Sequence, residues 1–349
     1  MALDRWHLLK TLRIGGVVFL LLLIVFRFYH AVNTNDVSNA ELYSSVFPKF
    51  LFHSFLWLRQ KINFALAKIL PEPQLSLMKS LFFGGKNNLP YDLKQQIRRV
   101  GLSHLVAVSG LHLTIVSQII SSILNACLIG GIFNFFISLL FILGFVVMAD
   151  FSSSVIRASI MAIILLLSKL FHRVYRSSYA LILAVLIMVS LKPQILADDF
   201  SFQLSVLATL GIIYVYPLFQ KNNQLNFLKE SFLLSISALI FVWPWIVYKT
   251  QMFSLVAPLS NLLVVPLIPV IMIMGFFVAG AAFIFFPLAF WGGFCLNILL
   301  SYVLKVITFL SRWPLAEVFW PQINWFFILV YYLVLIYIIY HYHKKYYGG

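Results

Sequence analysis

Apolar runs recur along the chain at lengths that match a bilayer crossing, which takes about 20 residues. They fall near 14–28, 102–127, 132–149, 154–171, 178–192, 200–218, 231–248, 254–286, 288–310 and 324–341. The pattern predicts an all-α polytopic membrane protein with about ten transmembrane helices. Two runs carry breaks. Ser109-Gly110 interrupts the first run after residue 100, because glycine is a poor helix interior. Pro258, Pro266 and Pro269 surround Ser260 and Asn261, and proline removes a donor and clashes with the preceding turn. Broken backbone at membrane depth is tolerated only where protein buries it or it lines a wet cavity.

Residues 33–100 have a different texture. Asn33 to Ser45 is polar and reads as a loop. From there Leu51, Phe55, Leu58, Ile62, Leu66 and Ile69 share one helical face, with Arg59, Lys61 and Lys68 off it. That predicts an interfacial amphipathic helix, stopped by Pro71 and Pro73. After the turn-rich Gly84-Gly85-Lys86-Asn87-Asn88, Leu93, Ile97 and Val100 form a second short apolar face. Lys94, Arg98 and Arg99 lie opposite, either as a solvated face or as a basic collar beside an entrance.

Composition agrees with the pattern. Of 349 residues, 62% are hydrophobic and 10% charged, with a mean hydropathy of +0.98; a soluble domain is about a quarter charged. The net charge of +15 invites a nucleic-acid reading, but excess Lys and Arg in cytoplasmic loops explains much of it. Lys169, Arg173 and Arg176, then Lys221 and Lys229, then Lys344 and Lys345 mark cytoplasmic connections, and Asp198 and Asp199 an external one. With the first run as an uncleaved anchor over 1–33, both termini are expected in the cytoplasm of a multi-pass plasma-membrane protein. Residues 34–100 then lie outside, where orientation does not account for their bases. Cys127 and Cys295 offer neither a disulfide framework nor a metal spacing, and no cofactor is expected.

The chemistry-bearing residues concentrate within the spans. After the break, Thr114, Ser117, Gln118, Ser121, Ser122 and Asn125 align on one side of a helix, as interhelical glue or as the wall of a path. His104 and His112 flank the break. Arg157 stands just inside an apolar run, where it needs a partner or water unless it snorkels. Gln203 sits in Phe200-Ser-Phe-Gln-Leu-Ser205, with Ser201 a candidate cap.

Together these stretches resemble the ComEC competence family of DNA-uptake channels. The resemblance rests on Gly101-Leu-Ser-His-Leu-Val-Ala-Val-Ser-Gly-Leu-His112, Arg157-Ala-Ser-Ile-Met-Ala162, Phe200-Ser-Phe-Gln-Leu-Ser205 with Leu207-Ala208 and Gly211-Ile212, and Pro258-Leu-Ser-Asn-Leu-Leu-Val-Val-Pro266. It covers roughly residues 70–310, with the four stretches in the family's order. It implies an inner-membrane channel, not an enzyme, passing single-stranded DNA into the cytoplasm, with 101–349 as the channel domain. The expected path residues are His104, Ser109, Gly110, His112, Ser117, Gln118, Ser121, Asn125, Arg157, Gln203 and Asn261, with Lys94, Arg98 and Arg99 at the entrance. The OB-like and metallo-β-lactamase-like nuclease domains of many members are not expected here. A separate DNA receptor, nuclease and cytoplasmic motor then complete the system beside membrane lipid. Whether one subunit or a homodimer forms the conduit stays open.

A core of about 30 Å would hold about nine phosphates at a duplex-like rise, so the path must be hydrated or lined with donors. Two other readings compete. A small-solute transporter with broken helices would bind its substrate at the midplane. An intramembrane hydrolase would use Ser103 or Ser109 with His104 or His112, but no acidic residue lies near in sequence to orient the histidine.

Overall fold

A computed structural model describes residues 49–85, 89–106, 110–219, 227–321 and 323–347. The expected first span, 14–28, lies outside the described residues. The remainder is helical: α1 (Lys49–Ala67), α2 (Gln74–Phe83), α3 (Tyr91–Arg99), α4 (Ser103–Val106), α5 (Gly110–Ala126), α6 (Gly131–Met148), α7 (Ser153–Leu170), α8 (Ser177–Leu191), α9 (Ile195–Asp198), α10 (Phe200–Tyr214), α11 (Tyr216–Phe219), α12 (Phe227–Thr250), α13 (Ala257–Val264), α14 (Ile268–Ile284), α15 (Phe286–Ser311) and α16 (Trp325–Tyr347). Two short strands, β1 (Met252–Phe253) and β2 (Val318–Phe319), pair antiparallel.

Among the described residues, seven helical segments are long and apolar enough to cross a membrane, and α8 is a shorter apolar helix. The chain is a multi-pass membrane protein. Of the two expected breaks, the one before Gly110 falls at 107–109, outside the described residues; α4 and α5 flank it. The proline-rich run splits into α13, a 3-10 turn at Val265–Leu267, and α14. Each proline stands in the first turn of its piece, where its missing N–H would have had no helical partner.

The main core draws on α1 to α7 and α13 to α15. Its middle holds α2, which the apolar pattern does not single out. Ten residues rise only about 15 Å, half a bilayer core, yet eight of them are buried. The Phe82 ring stacks on Phe276 of α14 with centroids 4.3 Å apart. The amphipathic helix α1 forms as expected and buries Ile62, Ala65 and Leu66. It leans on α6 and α14. Its Phe55 ring fills the space beside Gly144, where a Cβ would meet the ring at 2.3 Å. Arg59 forms a bidentate pair with Asp150, at 2.5 and 2.9 Å, clamping α1 to the turn between α6 and α7.

A smaller cluster joins α10, α12 and α16 through Val215, Phe241 and Ile339. Here α10 and α12 approach closely: a Cβ on Gly211 would lie 2.3 Å from the Ser237 carbonyl oxygen. Pro244 lies inside α12 and has no N–H for the carbonyl four residues before it, that of Ile240. An orphaned carbonyl in lipid is costly. The Tyr331 hydroxyl of α16 donates to this Ile240 oxygen at 3.0 Å, and Tyr332 donates to Phe241 O at 2.7 Å. Two tyrosines thus supply donors at the kink and hold α16 to the bundle.

This pairing has a measurable signature. Tyr331→Phe should lower stability by about 0.5–1.5 kcal/mol, the net worth of one hydrogen bond. In a Pro244→Ala background, where the helix can supply its own donor, the same substitution should cost close to nothing. Thermal unfolding in detergent micelles reads both, and equal costs in the two backgrounds would refute the compensation.

Candidate functional site

The four sequence stretches singled out above meet in series. Gly101 ends the turn after α3 at φ +75°, a left-handed conformation that favours glycine. Space demands glycine too, since a Cβ there would sit 2.5 Å from the Ala257 Cβ at the start of α13. The Ser260 hydroxyl donates to the Val100 carbonyl at 2.6 Å. The first stretch is thereby locked onto the proline-rich one.

The next contact lies across the break. A Cβ on Gly110 would lie 3.4 Å from both the Ala158 Cβ and Arg157 Nη2. Arg157 is 6% exposed and points along α7 toward Met161, whose Sδ accepts from Nη1 at 3.2 Å. Arg157 Nε donates to the Ser205 hydroxyl of α10 at 2.9 Å. A guanidinium carries five N–H donors, and this one meets only neutral groups; the ion pairs among the described residues belong to Arg59, Arg98 and Arg99. The nearest acid along α10, Asp199, is engaged elsewhere. One oxygen caps α10 by accepting from Phe202 N at 2.9 Å, and the other accepts from the Ser153 hydroxyl. The cap is therefore Asp199 and not Ser201. Tyr175, in the connection between α7 and α8, feels the Arg157 charge. Burial pushes its phenol above the usual range, Arg157 and a hydrogen bond with Ser177 pull it down, and burial wins.

The other expected path residues divide. His112 is completely buried and His104 is exposed. Ser117 and Ser121 are half-buried on α5, while Ser122 and Asn125 are exposed. Asn125 Oδ1 accepts from Asn134 Nδ2 at 3.1 Å, and Asn134 Oδ1 accepts from the Ser138 hydroxyl, so this end of the stripe ties α5 to α6. Ser109 and the side chains of Thr114 and Gln118 lie outside the described residues. Gln203 spends its amide on the scaffold: Nε2 donates to the Leu196 and Ala197 carbonyls, and Oε1 accepts from Trp245 Nε1 at 2.8 Å. Asn261 is 4% exposed, and its Oδ1 has no hydrogen-bond partner among the described residues.

The junction is closed. Leu102, Leu105, Leu113 and Val116 are buried in the main core beside His112. The basic collar is partly neutralised. Glu317, near β2, lies 3.3 Å from Arg99 Nε and 4.0 Å from Arg98 Nη2, and Lys94 remains exposed. Glu317, Ser205 and Ser260 are the partners that sequence reasoning missed. Ser205 and Ser260 stand inside the quoted stretches, but no spacing rule says which stretch meets which.

Residues 81–345 match the family described as Competence protein. Among curated proteins, the chain is 25% identical over 219 residues to ComE operon protein 3 of Bacillus subtilis (strain 168), covering 63% of this chain and 28% of that one. It is 32% identical over 191 residues to an uncharacterized protein of Aquifex aeolicus (strain VF5), covering 55% of this chain and 43% of that one. The aligned stretches thus span less than half the length of either relative. No solved structure matches.

A cysteine pair tests the convergence directly. The 3.4 Å separation at Gly110 and Ala158 is close to the Cβ spacing of a disulfide. With Cys127 and Cys295 replaced by serine, Gly110→Cys with Ala158→Cys should oxidise to an intramolecular bridge in membranes. A pair that stays reduced under copper-phenanthroline would contradict the contact.

Proposed function

The chain belongs to the competence protein family, and from that membership we propose that it forms the membrane passage through which a single DNA strand enters the cell during natural transformation. The observation that carries the proposal is Arg157: buried, without an acidic partner among the described residues, and set where Gly110 and Ser205 meet. Inserting an arginine costs about 2.5–3.5 kcal/mol at the centre of a span on insertion scales and less toward an end, and Arg157 stands one turn into α7. A phosphate about 4 Å away returns about 4 kcal/mol at an effective dielectric near 20. The passing strand therefore offsets the cost of the cation. Conduction also needs a site weak enough to leave, and a lone cation amid neutral hydroxyls and amides meets that need.

Orientation follows from charge. In the connections between successive spans, Lys169, Arg173, Arg176 and Lys229 stand at one end with Glu230, while Asp150, Asp198, Asp199 and Glu317 stand at the other, where Lys192, Lys249 and Arg312 also lie. The positive-inside rule puts the first end in the cytoplasm, which sets α3 and the β1–β2 pair outside. Lys94, Arg98 and Arg99 then stand where DNA arrives. The closed junction opens by movement of α4 and the start of α5 away from α7 and α13, at the break that Gly110 provides.

In a transformable strain lacking the gene, Arg157→Gln should cut entry of labelled DNA into the nuclease-protected pool by about tenfold or more, a loss of about 1.4 kcal/mol. Arg157→Lys should retain a larger share, with both variants at wild-type level in the membrane. Wild-type uptake by Arg157→Gln would leave the arginine a packing residue and remove the basis of the proposal.

A further inference from the structure

A trench with a largely apolar wall and a few polar side chains runs down the outside of the bundle, between the start of α2 and the surface of α15. It has a volume of about 440 Å³ and is lined by Pro73, Gln74, Ser301, Lys305, Thr308 and Arg312, with Leu304 and Phe309 beside them. The polar residues on α15 fall at helical spacing, so they form a single stripe on a helix that crosses the membrane.

Depth makes this stripe unusual. Exposed Trp291 and Trp313 mark the two ends of α15, and exposed Trp320 and Trp325 cluster near the second. Tryptophan favours the two membrane interfaces. The twenty-two residue steps from Trp291 to Trp313 rise about 33 Å, which fits a core of about 30 Å. Lys305 is eight residues inside Trp313, about 12 Å along the helix. It is exposed, and exposed Tyr302 and Phe309 flank it, so it faces lipid. A lysine there reaches upward along its own stem, toward Thr308 and Arg312.

Neither Lys305 nor Arg312 is ion-paired among the described residues. Gln74 Nε2 donates to the Ser301 hydroxyl at 2.9 Å, while Gln74 Oε1 is buried with no hydrogen-bond partner there. The trench thus offers two cations at its upper part and a free acceptor deeper in. Among the described residues, a second copy of the chain would supply no acid for these cations. The described acids, Glu72, Asp92, Asp150, Asp198, Asp199, Glu230 and Glu317, lie at helix ends and connections and not on the outer faces of the spans.

We infer that this trench binds the headgroup of an anionic glycerophospholipid from the leaflet at the Trp313 end. The phosphate sits between Lys305 and Arg312, and a headgroup hydroxyl donates to Gln74 Oε1. The acyl chains run down past Phe309 and Tyr302.

Native mass spectrometry of the purified full chain, titrated with phosphatidylglycerol or phosphatidylcholine, tests this. The wild type should retain phosphatidylglycerol over phosphatidylcholine by about tenfold, the scale set by two cations near a membrane surface. Lys305→Gln with Arg312→Gln should erase the preference, and Lys169→Gln with Arg173→Gln, at the opposite end, should keep it. Ser301→Phe, which fills the trench without changing charge, should also erase it, so the test survives misfolding of the double variant. An unchanged preference in folded trench variants would overturn the site. So would displacement of the lipid by a short oligonucleotide, or a wild-type dimer that the trench substitutions dissociate without altering lipid retention.

Discussion

A buried guanidinium without an acidic partner among the described residues is the constraint on which the structure turns. Arg157 cannot leave its donors unmatched when buried, so its neighbours are chosen for it. Ser205 must present a hydroxyl, Met161 a polarisable sulfur, and position 110 must stay small, because a Cβ there already touches the Nη2 atom at 3.4 Å and a larger side chain would press on it. Those three demands fix how α5, α7 and α10 sit together. The head of the arrangement is set by Asp199, which caps α10 and accepts from Ser153 at the start of α7. With its carboxylate so engaged, Asp199 does not neutralise the arginine.

The same need to satisfy polar groups in lipid explains features far from Arg157. The Pro244 kink is tolerated because tyrosines of α16 supply the donors. The prolines of 258–269 stand where a helix start needs no donor. The carbonyl of Val100, at a turn that only glycine can follow, takes the Ser260 hydroxyl. At Pro244 and at Val100 an irregularity in the backbone is matched by a specific side chain from a distant element, so these two irregularities also serve as joints between elements.

Much of this was legible in the sequence and some was not. The long apolar runs and the break in the proline-rich run follow from local rules, and they stand where expected. The amphipathic faces of α1 and α3 follow from 3.6-residue periodicity. The buried helix α2 was hidden because ten residues carrying Gln74, Ser76, Lys79 and Ser80 match neither a crossing nor a clear amphipathic stripe. Partners were hidden for a different reason. Arg157 and Ser205 are 48 positions apart, and Arg59 and Asp150 are 91 apart. Such pairings arise from packing, which one sequence does not encode locally. Arg98 and Arg99 look unpaired for the same reason, with Glu317 far along the chain. The stripe on α5 resolves into two parts. Asn125 is interhelical glue, while Ser117 and Ser121 are half-buried.

Photo-crosslinking of a strand in transit bears most directly on the claim that DNA passes beside Arg157. A benzophenone side chain at Ser117 on α5, or at Leu186 on the exposed face of α8, would be activated while cells take up labelled DNA. The account expects covalent DNA adducts at Ser117 and none at Leu186. Uptake at the normal rate with adducts at Leu186 alone, or with none at Ser117, would place the strand elsewhere and contradict it.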